Sequence, residues 1–142
     1  MRIERVVDAA AVHLAADLFD GPPLAAVTER FLALPDHHLL FAFDGERAVG
    51  MISGVETTHP DKGTEMFVYE LGVAPVARLR GVGTALVRAL AEIARERGCY
   101  GMWVGTEPDN EAALATYRRA GATEEAPFVL LNWDFVGEGR AS

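Results

Sequence analysis

The spacing of apolar positions switches between a period near two and a period near 3.6 along the chain, and each switch marks an element. Residues 2 to 7 alternate loosely and open a short strand. Asp8 stands where an N-cap belongs, ahead of an alanine-rich helix over about residues 9 to 19 that Asp20-Gly21-Pro22-Pro23 breaks. Proline is tolerated in a first helical turn, so a second helix runs from Pro23 to Leu34, with Leu24, Val27, Phe31 and Leu34 as its apolar stripe, until Pro35-Asp36 ends it. From Leu39 the pattern reads as strands: Leu39 to Phe43, a turn at Asp44 to Arg47, then Ala48 to Val55, which together make a hairpin. A further turn, His59-Pro60-Asp61-Lys62-Gly63, leads into a strand from Glu65 to Val73.

After Pro75 a glycine-containing loop opens a helix from Thr84 to Arg97. Leu86, Val87, Leu90, Ile93 and Ala94 form its buried stripe; Arg88, Glu92, Arg95 and Glu96 face water, and Gly98 is a natural C′ residue. Cys99 to Val104 reads as a buried strand, Asp109 or Asn110 caps a helix that ends before Gly121, and Phe128 to Phe135 reads as a last strand. Strand, two helices, three strands, helix, strand, helix and strand in that order predict an α/β domain on one mixed sheet. No linker or repeat divides it, so residues 1–142 are expected to form a single domain.

Composition narrows the function. Of 142 residues 50% are hydrophobic and 24% charged, with mean hydropathy +0.11, which suits one core. Thirteen basic residues against 21 acidic ones leave a net charge of −8, a field that repels nucleic acid and draws cationic small molecules toward an acidic cleft. Solubility alone explains the acidity equally well. The lone Cys99 cannot form an intrachain disulfide and reads as a reduced thiol in the core. Glu4 and Asp8 interrupt any signal-peptide pattern, and no apolar run is long enough to span a bilayer, so a cytoplasmic protein without membrane contact is expected. His13, His37, His38 and His59 lack metal-site spacing, which leaves them surface or packing roles and predicts no metal.

The candidate chemistry starts at Leu71-Gly72-Val73-Ala74-Pro75-Val76-Ala77-Arg78-Leu79-Arg80-Gly81-Val82-Gly83-Thr84, a strand entering a tight loop that opens a helix. Backbone amides made accessible by Gly81 and Gly83 at a helix N-terminus suit a phosphate. The loop has no lysine followed by Ser or Thr, as a Walker A loop needs, and Leu86 stands where a Rossmann fingerprint puts Gly or Ala. The spacing Arg78-x-x-Gly81-x-Gly83 instead resembles the acyl-CoA pyrophosphate loop of the GNAT N-acetyltransferases. Asn110 and Tyr117 fall at that family's downstream Asn and Tyr positions, seven residues and nearly two helical turns apart, and so on one helix face.

The resemblance extends over nearly the whole chain and implies a mostly antiparallel sheet with a splayed central strand pair and helices on both faces. It also implies acetyl-CoA as cosubstrate, its pantetheine arm along Leu71, Gly72 and Val73, its phosphates at Arg78, Leu79, Arg80, Gly81, Val82, Gly83 and Thr84, and further contacts from Asn110, Ala113 and Tyr117. Within the family, Phe67 to Val73, Ala94 to Tyr100, the acidic stretch Glu107 to Glu111 and Trp133-Asp134-Phe135 are most similar to the type I aminoglycoside 3-N-acetyltransferases, with Glu70 where those enzymes usually carry aspartate. That resemblance implies a homodimer and a cationic amine acceptor.

Glu70 is then the general base, acting directly or through a water with a pKa raised by burial, or else an anchor for the substrate's charge or a side chain that points to solvent at the splayed end of its strand. Tyr117 either protonates the leaving thiolate or only packs against CoA. Glu107, Asp109, Glu111 and Asp134, with Glu70, are the candidates for the acceptor site; helix-dipole complementation and solvation account for the same acids otherwise. Three functions stay open: transfer to the 3-amino group of an aminoglycoside, transfer to another amine such as a polyamine or a protein N-terminus, and non-catalytic CoA binding.

Overall fold

In the computed structural model, which describes residues 1–125 and 128–136, the elements are β1 (Arg2–Arg5), α1 (Ala9–Leu14), α2 (Ala25–Ala33), β2 (His37–Asp44), β3 (Arg47–His59), β4 (Gly63–Val73), α3 (Val82–Glu96), β5 (Met102–Trp103) and α4 (Glu111–Arg119). Single 3-10 turns lie at Ala16–Leu18 and Pro75–Ala77. The strands form one sheet in the order β1-β2-β3-β4-β5, antiparallel except for the parallel β4–β5 pair. The predicted mixed sheet is therefore present, with helices on both faces.

Alternation along the strands sorts side chains to the two faces. Leu40, Ala42, Ile52, Met66 and Val68 lie under α3, where they meet Leu86, Val87, Leu90 and Ala94. Leu39, Phe41 and Met51 face the other way and meet Val12, Ala15, Phe19 and Phe31. Gly50 and Gly54 of β3 let α3 lie close: a Cβ at Gly50 would be 2.7 Å from Val82 Cγ1, and one at Gly54 2.8 Å from Leu90 Cδ2.

A bulge then changes the phase of β4. Ser53 pairs with Glu70 but Gly54 pairs with Val68, so Tyr69 is an extra residue on β4. Before it, Met66 and Val68 face α3; beyond it, Leu71 and Val73 do. Glu70 and Gly72 consequently face the segment that follows α1.

Several boundaries differ from those the sequence predicts. Asp8 caps α1 as expected, its Oδ1 accepting from the Ala10 N–H at 2.9 Å, but α1 ends at Leu14 and the chain tightens into the 3-10 turn. Leu24 is the N-cap of α2 rather than part of it, so the inward stripe shifts to Thr28, Phe31 and Leu32, leaving Leu24 and Val27 exposed. Arg88 does not simply face water, because its Nη2 donates to the Arg119 carbonyl at 2.8 Å and ties α3 to the end of α4. The strand expected over Cys99 to Val104 shrinks to Met102–Trp103, since Cys99 and Tyr100 spend their amides on the Ala94 and Thr64 carbonyls in a turn.

The last strand, expected over Phe128 to Phe135, is not formed. Residues 128–134 are irregular, and Phe128, Val129, Leu130, Leu131, Trp133 and Phe135 are exposed. A β5 of two residues offers too short a ladder to pair with it. No described helix is long and apolar enough to cross a membrane.

His38 is packing of an unexpected kind. Its side chain is 1% exposed, and its Nδ1 lies 2.9 Å from Arg5 Nη1, a group that only donates, so Nδ1 accepts and the ring proton sits on Nε2. Nε2 then donates to Glu56 Oε2 at 2.7 Å, and Arg97 Nε donates to the same oxygen at 2.8 Å. Burial chiefly holds the imidazole below its ordinary pKa, against the opposing pull of Glu56. Burial would raise Glu56, but its bonds to His38 and Arg97 outweigh that and keep it low.

Candidate active site

β4 is paired along its whole length with β3, but its pairing with β5 stops at Phe67 and Trp103. From Val68 to Val73 one edge of a central strand is therefore open, and its backbone groups need a partner. The chain turns at Pro75–Ala77, and two left-handed residues follow, Leu79 with φ 64° and Gly81 with φ 78°. Gly81 is the N-cap of α3 and has no side chain to satisfy the first amides of that helix. Amides at Val82, Gly83 and Thr84 thus meet at the positive end of a 15-residue helix.

α4 closes this end. Asn110 caps it, Oδ1 accepting from the Ala113 N–H at 3.1 Å, and Ala113, Thr116 and Tyr117 line the cleft between α4 and α3. A Cβ at Gly83 would lie 3.1 Å from Thr116 Cγ2, so Gly83 sets the α3–α4 approach as well as freeing its own amide. Tyr117 packs against the apolar cluster under α3, and burial pushes its phenol above the ordinary value, so it is protonated at neutral pH.

The cleft continues past the end of β4 to a second region. There it is lined by Asp17, Leu18, Phe19 and Asp20 from the turn after α1, by Phe41 and Phe43 of β2, and by Glu46, Arg47 and Ala48 of the hairpin. Its volume is about 1520 Å³. A pocket for one small ligand is roughly 300–1,000 Å³, and this cleft exceeds that. Glu70 sits just behind this wall, half-buried, with Oε2 accepting from the Asp20 N–H at 2.8 Å.

The sequence profile of the acetyltransferase (GNAT) family matches residues 9–122. The chain belongs to the GNAT acetyltransferase family. It is 38% identical over 113 residues to the N-alpha-acetyltransferase RimI of Mycobacterium tuberculosis, a match covering 77% of this chain and 68% of that protein. It is 39% identical over 88 residues to mycothiol acetyltransferase of Clavibacter sepedonicus, covering 62% of this chain but 28% of that longer protein. In fold it is similar to an aminoglycoside acetyltransferase from an uncultured soil metagenomic sample, with TM-score 0.85, 20% identity, and coverage of 94% of this chain and 95% of that one.

As a GNAT acetyltransferase the chain uses acetyl-CoA as acetyl donor. The cofactor residues inferred from sequence are brought together: Leu71, Gly72, Val73, Arg78, Leu79, Gly81, Val82, Gly83, Thr84, Asn110, Ala113 and Tyr117 all line the cleft. Arg80 stands outside the lining, 3.6 Å from Asp44 in an exposed ion pair, and Arg78 Nε donates to the Val73 carbonyl at 3.4 Å. Glu107, Asp109, Glu111 and Asp134 are exposed and are not among the lining residues.

Sequence reasoning missed Asp17, Asp20 and Glu46, the acids that line the second region of the cleft, and the aromatic residues Phe19, Phe41 and Phe43 beside them. The usable signal was Asp20-Gly21-Pro22-Pro23, a chain turn whose first amide meets β4 at Glu70. Among the described residues no group of three or more His, Cys, Asp or Glu side chains is placed to hold a metal ion.

Proposed function

We propose that this acetyltransferase moves the acetyl group of acetyl-CoA to a primary amine on a small, multiply charged cation, and that the acceptor is an aminoglycoside acetylated at its 3-amino group. The observation that carries this reading is the composition of the acceptor end: three carboxylates, Asp17, Asp20 and Glu46, against one cation, Arg47, beside the part-exposed rings of Phe19 and Phe43, which Phe41 backs from the core. Separated carboxylates suit several ammonium groups on one molecule, and aromatic faces suit both sugar rings and cations.

The transfer is direct. The ammonium loses its proton to Glu70, through a water because Glu70 is set behind the wall rather than in it. The neutral nitrogen attacks the thioester carbonyl, the new C–N bond forms, the C–S bond breaks, and the second proton shed by the nitrogen passes through water to restore the Tyr117 phenol that protonates the thiolate. A backbone N–H on the open edge of β4 donates to the carbonyl oxygen as charge develops there, a contribution of about 3 kcal/mol in comparable sites. The thiolate takes its proton from Tyr117, whose hydroxyl has no protein hydrogen bond among the described residues. In the homodimer that the aminoglycoside resemblance implies, the exposed run from Phe128 to Phe135 is the surface to be covered, and sedimentation at micromolar concentration reads it directly.

The identity to RimI favours a second reading, in which the acceptor is a peptide α-amine. Acetyl-CoA offered with aminoglycosides, a monoamine and short peptides, followed by thiol release and NMR of the product, separates the two. An N-acetyl group on the 3-amino position of an aminoglycoside is the expected product. Faster acetylation of a peptide than of every aminoglycoside removes the first reading and leaves the second.

A further inference from the structure

We infer that the turn Leu18–Asp20 is the positioning element for the Glu70 carboxylate, and that the missing side chain at Gly72 is what seats the turn. This rests on the proposed role of Glu70 as the proton acceptor.

Two contacts fifty or more residues apart in sequence carry the inference. The Asp20 amide donates to Glu70 Oε2 at 2.8 Å, the hydrogen bond Glu70 makes among the described residues. Two residues along each segment, a Cβ built on Gly72 would lie 2.3 Å from the Leu18 carbonyl oxygen, a distance real Cβ atoms do not tolerate, and the opposing atom is backbone that cannot swing aside. Leu18 over Gly72 and Asp20 over Glu70 means that the turn crosses the face of β4 in register with it. The Tyr69 bulge is what brings both Glu70 and Gly72 to this face.

The turn is itself anchored. Leu18 and Phe19 pack against the cluster of Phe41 and Met51, and the Phe19 and Phe41 rings meet edge to face at 6.3 Å. One carboxylate oxygen is thus fixed by a backbone donor, and the other is left for the proton. Because the same turn supplies Asp17, Phe19 and Asp20 to the acceptor wall, the fit of the acceptor and the orientation of Glu70 are linked. An acceptor that displaces the turn lowers kcat as well as raising KM.

The test removes the donor without touching Glu70. Asp20→Pro deletes the amide hydrogen, and Phe19, at φ −96° and ψ 155°, already has the extended backbone required before proline. Asp20→Ala keeps the amide and deletes only the carboxylate. Asp20→Ala should raise KM for a cationic acceptor and leave the acid limb of the kcat/KM profile in place. Asp20→Pro should in addition lower kcat roughly tenfold, because the carboxylate is no longer held in one orientation. In a Glu70→Gln background the two Asp20 variants should have equal kcat. Gly72→Ala, with acetyl-CoA affinity measured alongside, should lower kcat in the same way and serves if Asp20→Pro does not fold.

If Glu70→Gln is slow while Asp20→Pro and Gly72→Ala match Asp20→Ala in kcat, the positioning role is overturned and the role of Glu70 stands. If Glu70→Gln turns over at full rate, the proposed base is wrong and the positioning role falls with it.

Discussion

The two ends of the cleft, donor and acceptor in the proposed reaction, present opposite kinds of group. The donor end is backbone: an open strand edge on β4, a left-handed loop and the first amides of α3, with side chains from α4 closing over them. The acceptor end is side chain: carboxylates and aromatic rings borne on a turn, a hairpin and one strand. Backbone amides recognise a phosphate without regard to neighbouring residue identity, so long as glycine keeps them accessible. Carboxylates on turns are free to change with the acceptor. This division explains how one scaffold keeps its donor fixed while acceptors diverge.

Substitutions that strike one end alone sharpen this comparison. The largest effect belongs to Gly81→Val, which forces a β-branched residue to φ 78° at the N-cap of α3. Acetyl-CoA affinity in calorimetry should fall by about a hundredfold or more through loss of the loop conformation. Gly83→Leu should weaken binding as well, by driving Thr116 and with it α4 away from α3. Unchanged affinity in both variants would remove the phosphate site from this loop.

Next in size, Glu70→Gln should lower kcat by about a hundredfold, the lower end of the range for a lost general base, and abolish the acid limb of the rate profile. Its acetyl-CoA affinity should match the parent, because Glu70 faces the turn after α1 and not the loop. Smaller again, Asp17→Asn and Glu46→Gln should each raise KM for a polycation about three- to tenfold at low salt, with a reduced effect in high salt where exposed charges are screened. Glu107→Gln and Glu111→Gln, outside the lining, should change it less. A larger effect from the second pair would put the acceptor over the start of α4.

The smallest effect lies outside the cleft altogether. The native imidazole of His38 is held below its ordinary value of 6.5, so below that pH the unfolded chain binds more protons and stability declines as pH falls toward the native value. Glu56, held low by His38 and Arg97, adds a second loss below about 4.5. Urea midpoints measured from pH 7 to pH 5 should fall, and His38→Gln should flatten that slope. An equal slope in the variant would assign the acid lability elsewhere.

The donor end was legible because its signals are local. Arg78, Gly81 and Gly83 lie within six residues, and Asn110 and Tyr117 share a face through helical spacing alone. The acceptor end depends on contacts between distant segments. Nothing in the period of β4 announces that Tyr69 is bulged, and without the bulge the parity that puts Glu70 opposite Asp20 cannot be counted. The stripe of α2 slipped for a related reason: Leu24 is apolar and correctly spaced, yet it caps the helix instead of entering it. Phe128 to Phe135 has strand composition, but a strand also needs a ladder, and β5 supplies only two residues of one. Glu107, Asp109 and Glu111 looked like an acceptor site because acids at the start of a helix and acids around a cleft are written identically in sequence.

Preference for a polycationic amine, the acceptor proposed for this acetyltransferase, shows in the salt dependence of its kinetics. kcat/KM for an aminoglycoside, a monoamine and an N-terminal peptide, each with acetyl-CoA, would be compared at low and at high ionic strength. The aminoglycoside should be preferred at low salt, and its advantage should shrink toward the monoamine as screening shortens to about 3 Å at 1 M. A peptide or monoamine preferred at both ionic strengths would contradict the claim.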